Sequence, residues 1–220
     1  MLYYLLTPFK DNFSALNLFE YITFRTAIAA IAALIISFII GPWIIRALRT
    51  RQIGEEIRPT GPETHLQKKG TPTMGGIIIL VAVILPTLLF ADINNSMIRI
   101  ILISTIWMGI IGFIDDYLKV IKKIKRGMIA RYKLAGQVIL GTIISVWIMT
   151  SPEFAEFSTK TTIPFLKNVE IDLGRLYPLM VILVIAGTSN AVNLTAVSYT
   201  HLRAHETLRY RGWRGGGGKK

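Results

Sequence analysis

The sequence contains no cysteine, and of its three histidines only His65 precedes residue 201. Without thiols there is no disulfide framework and no thiolate-bound metal. His65 has neither a second histidine at ligand spacing nor a triad partner, so no role is assigned to it beyond a phosphate contact. Acidic residues are scarce, 13 against 25 lysines and arginines in 220 residues, and charged residues make up only 17% of the chain. A soluble domain carries more charge than this, and a disordered chain could not be 52% apolar with a mean hydropathy of +0.50. The formal charge of +12 leaves two classes, a nucleic-acid binder or a membrane protein with basic loops.

The placement of the charges decides between them. A bilayer crossing needs roughly 20 apolar residues, and five runs approach that length, at about 22–48, 74–91, 98–114, 134–149 and 173–192. Charge within them is confined to Arg25 and Arg46 in the first, Arg99 at the start of the third and Arg175 near the start of the fifth. Five recurrences favour a bilayer over the core of a large soluble protein. Residues 46–73 hold six basic residues and 115–133 hold seven, whereas 1–21, 92–97 and 151–175 together hold four. That asymmetry places the N-terminus outside and the ends of the first, third and fifth runs in the cytoplasm. It also explains the positive charge without nucleic acid.

The expected fold class is all-α, a polytopic transmembrane helical bundle of about five spans in residues 22–196. Residues 1–21 lack a basic n-region and a small-residue cleavage site, so no removed signal peptide is read there. Phe9, Phe13, Leu16 and Phe19 recur at helical spacing, predicting a helix in the outer interface. The β-branched stretches Thr161–Ile163 and Val169–Ile171 predict a small hairpin in the outer loop. Residues 197–220, ending in Gly-Gly-Gly-Gly-Lys-Lys, show neither helical period nor a sixth span and read as a disordered or artefactual tail, of the kind a frameshift or adapter read-through produces.

Three polar clusters fall on the expected cytoplasmic face. In the first, the run from Gly61 to Gly76 places prolines, glycines, Lys68, Lys69 and Thr73 just before the second apolar run. Such a stretch keeps backbone N–H groups near a helix N-terminus open to an anion, although a solvated basic loop has the same composition. The second is Asp115-Asp116, at the end of the third run. Two carboxylates at a membrane boundary are costly and so point to function; with phosphate oxygens they suit Mg²⁺. The structural alternative is a helix salt bridge to Lys119. The third is Asn190 and Asn193, three residues apart and therefore on one helix face. These amides suit a sugar, a base or a phosphate, or a neighbouring helix.

Taken in order, GPETHLQKKGTPTMGG, GIIGFIDDYLKV and GTSNAVNLT resemble the successive cytoplasmic motifs of the phospho-N-acetylmuramoyl-pentapeptide-transferase family, over about Tyr21 to Thr195. The resemblance implies a Mg²⁺-dependent polytopic enzyme of the bacterial inner membrane. Such an enzyme transfers phospho-MurNAc-pentapeptide from UDP-MurNAc-pentapeptide to undecaprenyl phosphate, giving lipid I and UMP in peptidoglycan synthesis, and a homodimer is compatible with it. It gives Asp115 and Asp116 the catalytic and metal-binding roles, with attack either direct or through a phospho-aspartate. Lys68, supported by Thr73, would contact phosphate, and Asn190 and Asn193 would line the nucleotide region. After Thr195 the family continues with an Asp-Gly-Leu-Asp-Gly pattern where this chain has Ala196-Val197-Ser198, so the resemblance covers the N-terminal half only and the chain as written is expected to be inactive. The competing readings are a polyprenyl-phosphate GlcNAc-1-phosphate transferase, a transporter subunit and a non-catalytic membrane fragment. Against the transporter, no acid or base lies mid-span.

Overall fold

The computed structural model describes residues 5, 8, 14–50, 74–124, 127–156, 158–162 and 170–214. Five helices account for most of these: α1 Ile22–Thr50, α2 Gly76–Phe90, α3 Ser96–Val120, α4 Ala130–Thr150 and α5 Tyr177–Arg214. Four helical stretches, Ile22–Thr50, Ser96–Val120, Ala130–Thr150 and Gly174–Thr195, are long and apolar enough to cross a membrane. The all-α polytopic architecture follows from them. The helix of the second apolar run is shorter than the others, α2 having only 15 residues. At 1.5 Å per residue it reaches roughly 22 Å against a hydrocarbon core of about 30 Å.

Large apolar side chains stay on the outside of these helices. Phe38, Ile39, Leu34, Ile101, Leu183 and Val192 are exposed. In water such surfaces would drive aggregation, whereas in hydrocarbon they need no further cover, and helices satisfy every backbone group internally.

The chain forms two compact units, residues 1–136 and 137–220, the division falling inside α4. In the first, α1 packs on α2. Its core joins Ile44 and Leu48 of α1 to Met74, with Ile77, Ile78 and Val120 against them. Asn95 caps α3, its side chain accepting from the backbone N–H of Met97 at 2.9 Å. Trp107 of α3 donates from its indole nitrogen to the Gly136 carbonyl at 3.0 Å, tying α3 to the start of α4. A 3₁₀ helix over Ser14–Glu20 precedes α1, and Phe19 meets Phe24 edge to face at 5.4 Å. The expected interfacial helix is thus 3₁₀ over this stretch, while Phe9 and Phe13 lie outside the described residues.

In the second unit the remainder of α4 meets α5 at a close crossing. A Cβ on Gly141 would stand 2.8 Å from Ile182 Cγ1 and 3.0 Å from its Cα, so only glycine fits that approach, the small-residue contact by which helices associate in lipid. The expected hairpin is present, with Ile163 and Val169 outside the described residues. Strands β1 Lys160–Thr162 and β2 Glu170–Asp172 pair antiparallel, with Thr161 opposite Ile171.

No helix was expected past Val197, yet α5 continues to Arg214. The segment has no proline, and its Leu202, Arg203, Ala204, Glu206, Leu208 and Arg209 are all good helix formers. These residues favour a helix without any amphipathic period, alongside weaker formers such as Thr200, Thr207 and Gly212.

Candidate functional site

Asp115 and Asp116 lie inside α3 rather than beyond its end, since the helix continues to Val120. Successive helical residues diverge by about 100°, so the two carboxylates face different surroundings. Asp115 points inward, its side chain only 10% exposed. Its Oδ2 accepts from Lys119 Nζ at 2.7 Å and from Lys133 Nζ at 2.8 Å, and its Oδ1 accepts from the Met128 backbone N–H at 2.8 Å. Asp116 is half-buried, and its carboxylate forms no hydrogen bond with the described residues.

The link between α3 and α4 builds this arrangement. Lys123 and Gly127 both take left-handed backbone conformations, with φ of 52° and 62°. The Ile124 N–H returns to the Leu118 carbonyl at 3.0 Å, and the Gly127 N–H bonds the Ile124 carbonyl at 2.9 Å. The chain is thereby folded back against the end of α3, setting the Met128 N–H on Asp115 and leading into the first turn of α4, which carries Lys133. Glycine is required at 127 twice over, by its positive φ and because a Cβ there would lie 2.5 Å from Asp115 Oδ1.

The helix salt bridge weighed against function does exist, Lys119 to Asp115 at i, i+4. It is not a simple surface pair, because Asp115 is nearly enclosed and takes two more donors from outside α3. Two carboxylates and two ammonium groups sum to zero charge. A phosphate dianion arriving here would need positive charge from beyond these four residues.

In the second unit, Asn190 and Asn193 are exposed on α5. Asn190 donates from Nδ2 to Gln137 Oε1 at 3.1 Å and to the Ala186 carbonyl at 2.8 Å. Gln137 in turn donates from Nε2 to Ser189 Oγ at 3.0 Å. Lys68 and Thr73 lie outside the described residues. Sequence reasoning passed over Lys133, which it counted only as loop charge, and Gln137, which sits in a run screened for charge alone. A buried amide in an apolar helix is itself the signal that would have found Gln137.

A tightly held acid beside an open one, at the end of a membrane helix, suits phosphate chemistry at an interface. The chain is similar to known proteins over most of its length. Residues 98–198 match the family model described as Glycosyl transferase family 4. Residues 68–80, which include Lys68 and Thr73, match Phospho-N-acetylmuramoyl-pentapeptide-transferase signature 1. Proteins named phospho-N-acetylmuramoyl-pentapeptide-transferase from Citrifermentans bemidjiense and Pelobacter propionicus are 46% and 47% identical to it over 195 residues, 89% of this chain and 54% of each relative. That of Desulforapulum autotrophicum is 49% identical over the same length and shares. The chain spans about half the length of the curated relatives it matches. Along that shared length, the chain is similar to the N-terminal part of the phospho-N-acetylmuramoyl-pentapeptide-transferases.

Proposed function

We propose that the chain serves the transfer of phospho-MurNAc-pentapeptide from UDP-MurNAc-pentapeptide to undecaprenyl phosphate, giving lipid I and UMP. The observation that carries this reading is the 46 to 49% identity to transferases of that name. The membrane is then the bacterial inner membrane, with the N-terminus outside. The Asp115 cluster faces the cytoplasm, on the side of the basic stretches 46–73 and 115–133. A lipid phosphate and a soluble nucleotide can meet only at such a boundary.

Phosphoryl transfer rests on positioning and on neutralising charge. In this reading Asp115 is the anchor: with three donors on its two oxygens it holds Lys119 and Lys133 in place and is poorly suited to attack phosphorus. Asp116 is the carboxylate left to orient the lipid phosphate or take its proton. Lys68, with Thr73, supplies charge to a phosphate oxygen, and Asn190 and Asn193 line the nucleotide region.

Mg²⁺ binds through one or two carboxylates together with substrate phosphates. Asp116 fits that requirement, whereas Asp115 would first have to release an ammonium group. Among the described residues no group of three histidine, cysteine or acidic side chains gathers to hold a metal, so a Mg²⁺ here would be completed by phosphate oxygens and water. When bound, it would supply the positive charge that the balanced set of Asp115, Asp116, Lys119 and Lys133 lacks.

The test joins residues 1–196 to the C-terminal part of a matched relative and measures lipid I and UMP formation in detergent. The chimera is expected to turn over UDP-MurNAc-pentapeptide but not UDP-GlcNAc, and Asp116→Asn to abolish turnover. A folded chimera that forms no lipid I, or one that prefers UDP-GlcNAc, refutes the reading.

A further inference from the structure

Gln137 is 2% exposed in an otherwise apolar stretch of α4. A buried amide in such a helix must find partners at both its ends. It does so entirely on α5, through Ser189 and Asn190.

The direction of each bond follows from one fixed point. The Ala186 backbone carbonyl can only accept, so the Asn190 atom 2.8 Å from it is the amide nitrogen. That nitrogen carries two hydrogens. One goes to Ala186 and the other, 3.1 Å away, to Gln137 Oε1. Gln137 must then turn its own nitrogen to Ser189 Oγ, whose hydroxyl accepts. Both donors of Asn190 are committed, and what it presents outward is its carbonyl Oδ1 alone. Without Gln137, the Asn190 amide would have an N–H to offer a phosphate oxygen.

We propose that Gln137 is a positioning residue that holds Asn190 as an acceptor only. The ligand group that Asn190 meets is therefore a hydrogen-bond donor, such as a hydroxyl or amide N–H, or a cation, and not a phosphate oxygen. The ligand half of this rests on the transferase reading above; the lock itself does not.

The test uses the 220-residue chain in detergent micelles with ¹⁵N-labelled asparagine, following the side-chain amide protons. Both Asn190 protons are expected to exchange with solvent at least about ten-fold more slowly than those of Asn193, the scale of one hydrogen bond. In Gln137→Leu one Asn190 proton should accelerate by about that factor while the proton bonded to Ala186 stays slow. Ser189→Ala, which removes only the distal bond, should give a smaller acceleration and serves if Gln137→Leu does not fold. Equal exchange at Asn190 and Asn193 in the unmodified chain overturns the lock.

Uridine and inorganic pyrophosphate are then added separately. Uridine should shift the Asn190 signals and pyrophosphate should not, except in Gln137→Leu. A pyrophosphate shift at Asn190 in the unmodified chain overturns the ligand half. If neither probe binds, the ligand half falls, while the exchange data still decide the lock and the chimera decides the transferase reading.

Discussion

Replacing Gly127 with alanine should unseat Asp115 while leaving every ionisable residue in the chain unchanged. The new Cβ would lie 2.5 Å from Asp115 Oδ1 and 2.6 Å from Lys119 Cε, at a φ of 62°. A non-glycine residue in that region costs about 1–2 kcal/mol. The bond from the Met128 N–H to a charged acceptor is worth about 1.5–3 kcal/mol. Allowing for partial relaxation, opening at Met128 becomes easier by about 2–4 kcal/mol. At tenfold per about 1.4 kcal/mol, its amide should exchange roughly 30- to 700-fold faster. Hydrogen exchange read by mass spectrometry or NMR on the chain in detergent measures this directly. Gly112→Ala is the control, since nothing lies within 4 Å of a Cβ there. Unchanged protection at Met128 in Gly127→Ala, or equal loss in Gly112→Ala, would refute the account of how the loop holds the carboxylate.

Further outcomes follow from other parts of the molecule. Because the chain has no cysteine, single cysteines report sidedness cleanly: Lys160→Cys should react with an impermeant maleimide on intact spheroplasts and Lys122→Cys only after lysis, and the reverse pattern would overturn the proposed orientation. Asn95→Ala removes the cap on α3 and should cost about 1 kcal/mol, seen as about five-fold faster exchange at Met97. The Asp172 carboxyl is held below the usual aspartate range by the Thr159 hydroxyl and the Gly174 N–H. Its contribution to hairpin stability should thus be present above the ordinary carboxyl value and be lost as pH falls through the lowered one. A ¹³C titration should show the low midpoint in the unmodified chain and a rise in Thr159→Ala; a midpoint at the ordinary value would refute it.

Much of the architecture was legible because lipid imposes simple rules. Long uncharged runs had to be helices, and the β-branched stretches around residue 161 and residue 170 paired within a residue of expectation. The Asp115-Asp116 pair declared itself by its cost at a membrane boundary. What surrounds Asp115 was not legible, because it depends on a chain reversal set by two left-handed residues, and neither Lys123 nor Gly127 stands out among so many lysines and glycines. Lys133 is 18 positions from Asp115 and meets it only through that reversal. Gln137 was missed because screening for charge overlooks neutral polar groups.

The acids ride on a rod of fixed length. Twenty-five residues of α3 make roughly 37 Å of helix, about 7 Å more than the hydrocarbon is thick. That surplus is about the rise from Asp115 to Val120. In the proposed orientation, with its other end near the opposite surface, α3 works as a dipstick, and the height of Asp116 among the lipid headgroups would track the thickness and tilt of the bilayer rather than the play of a flexible loop.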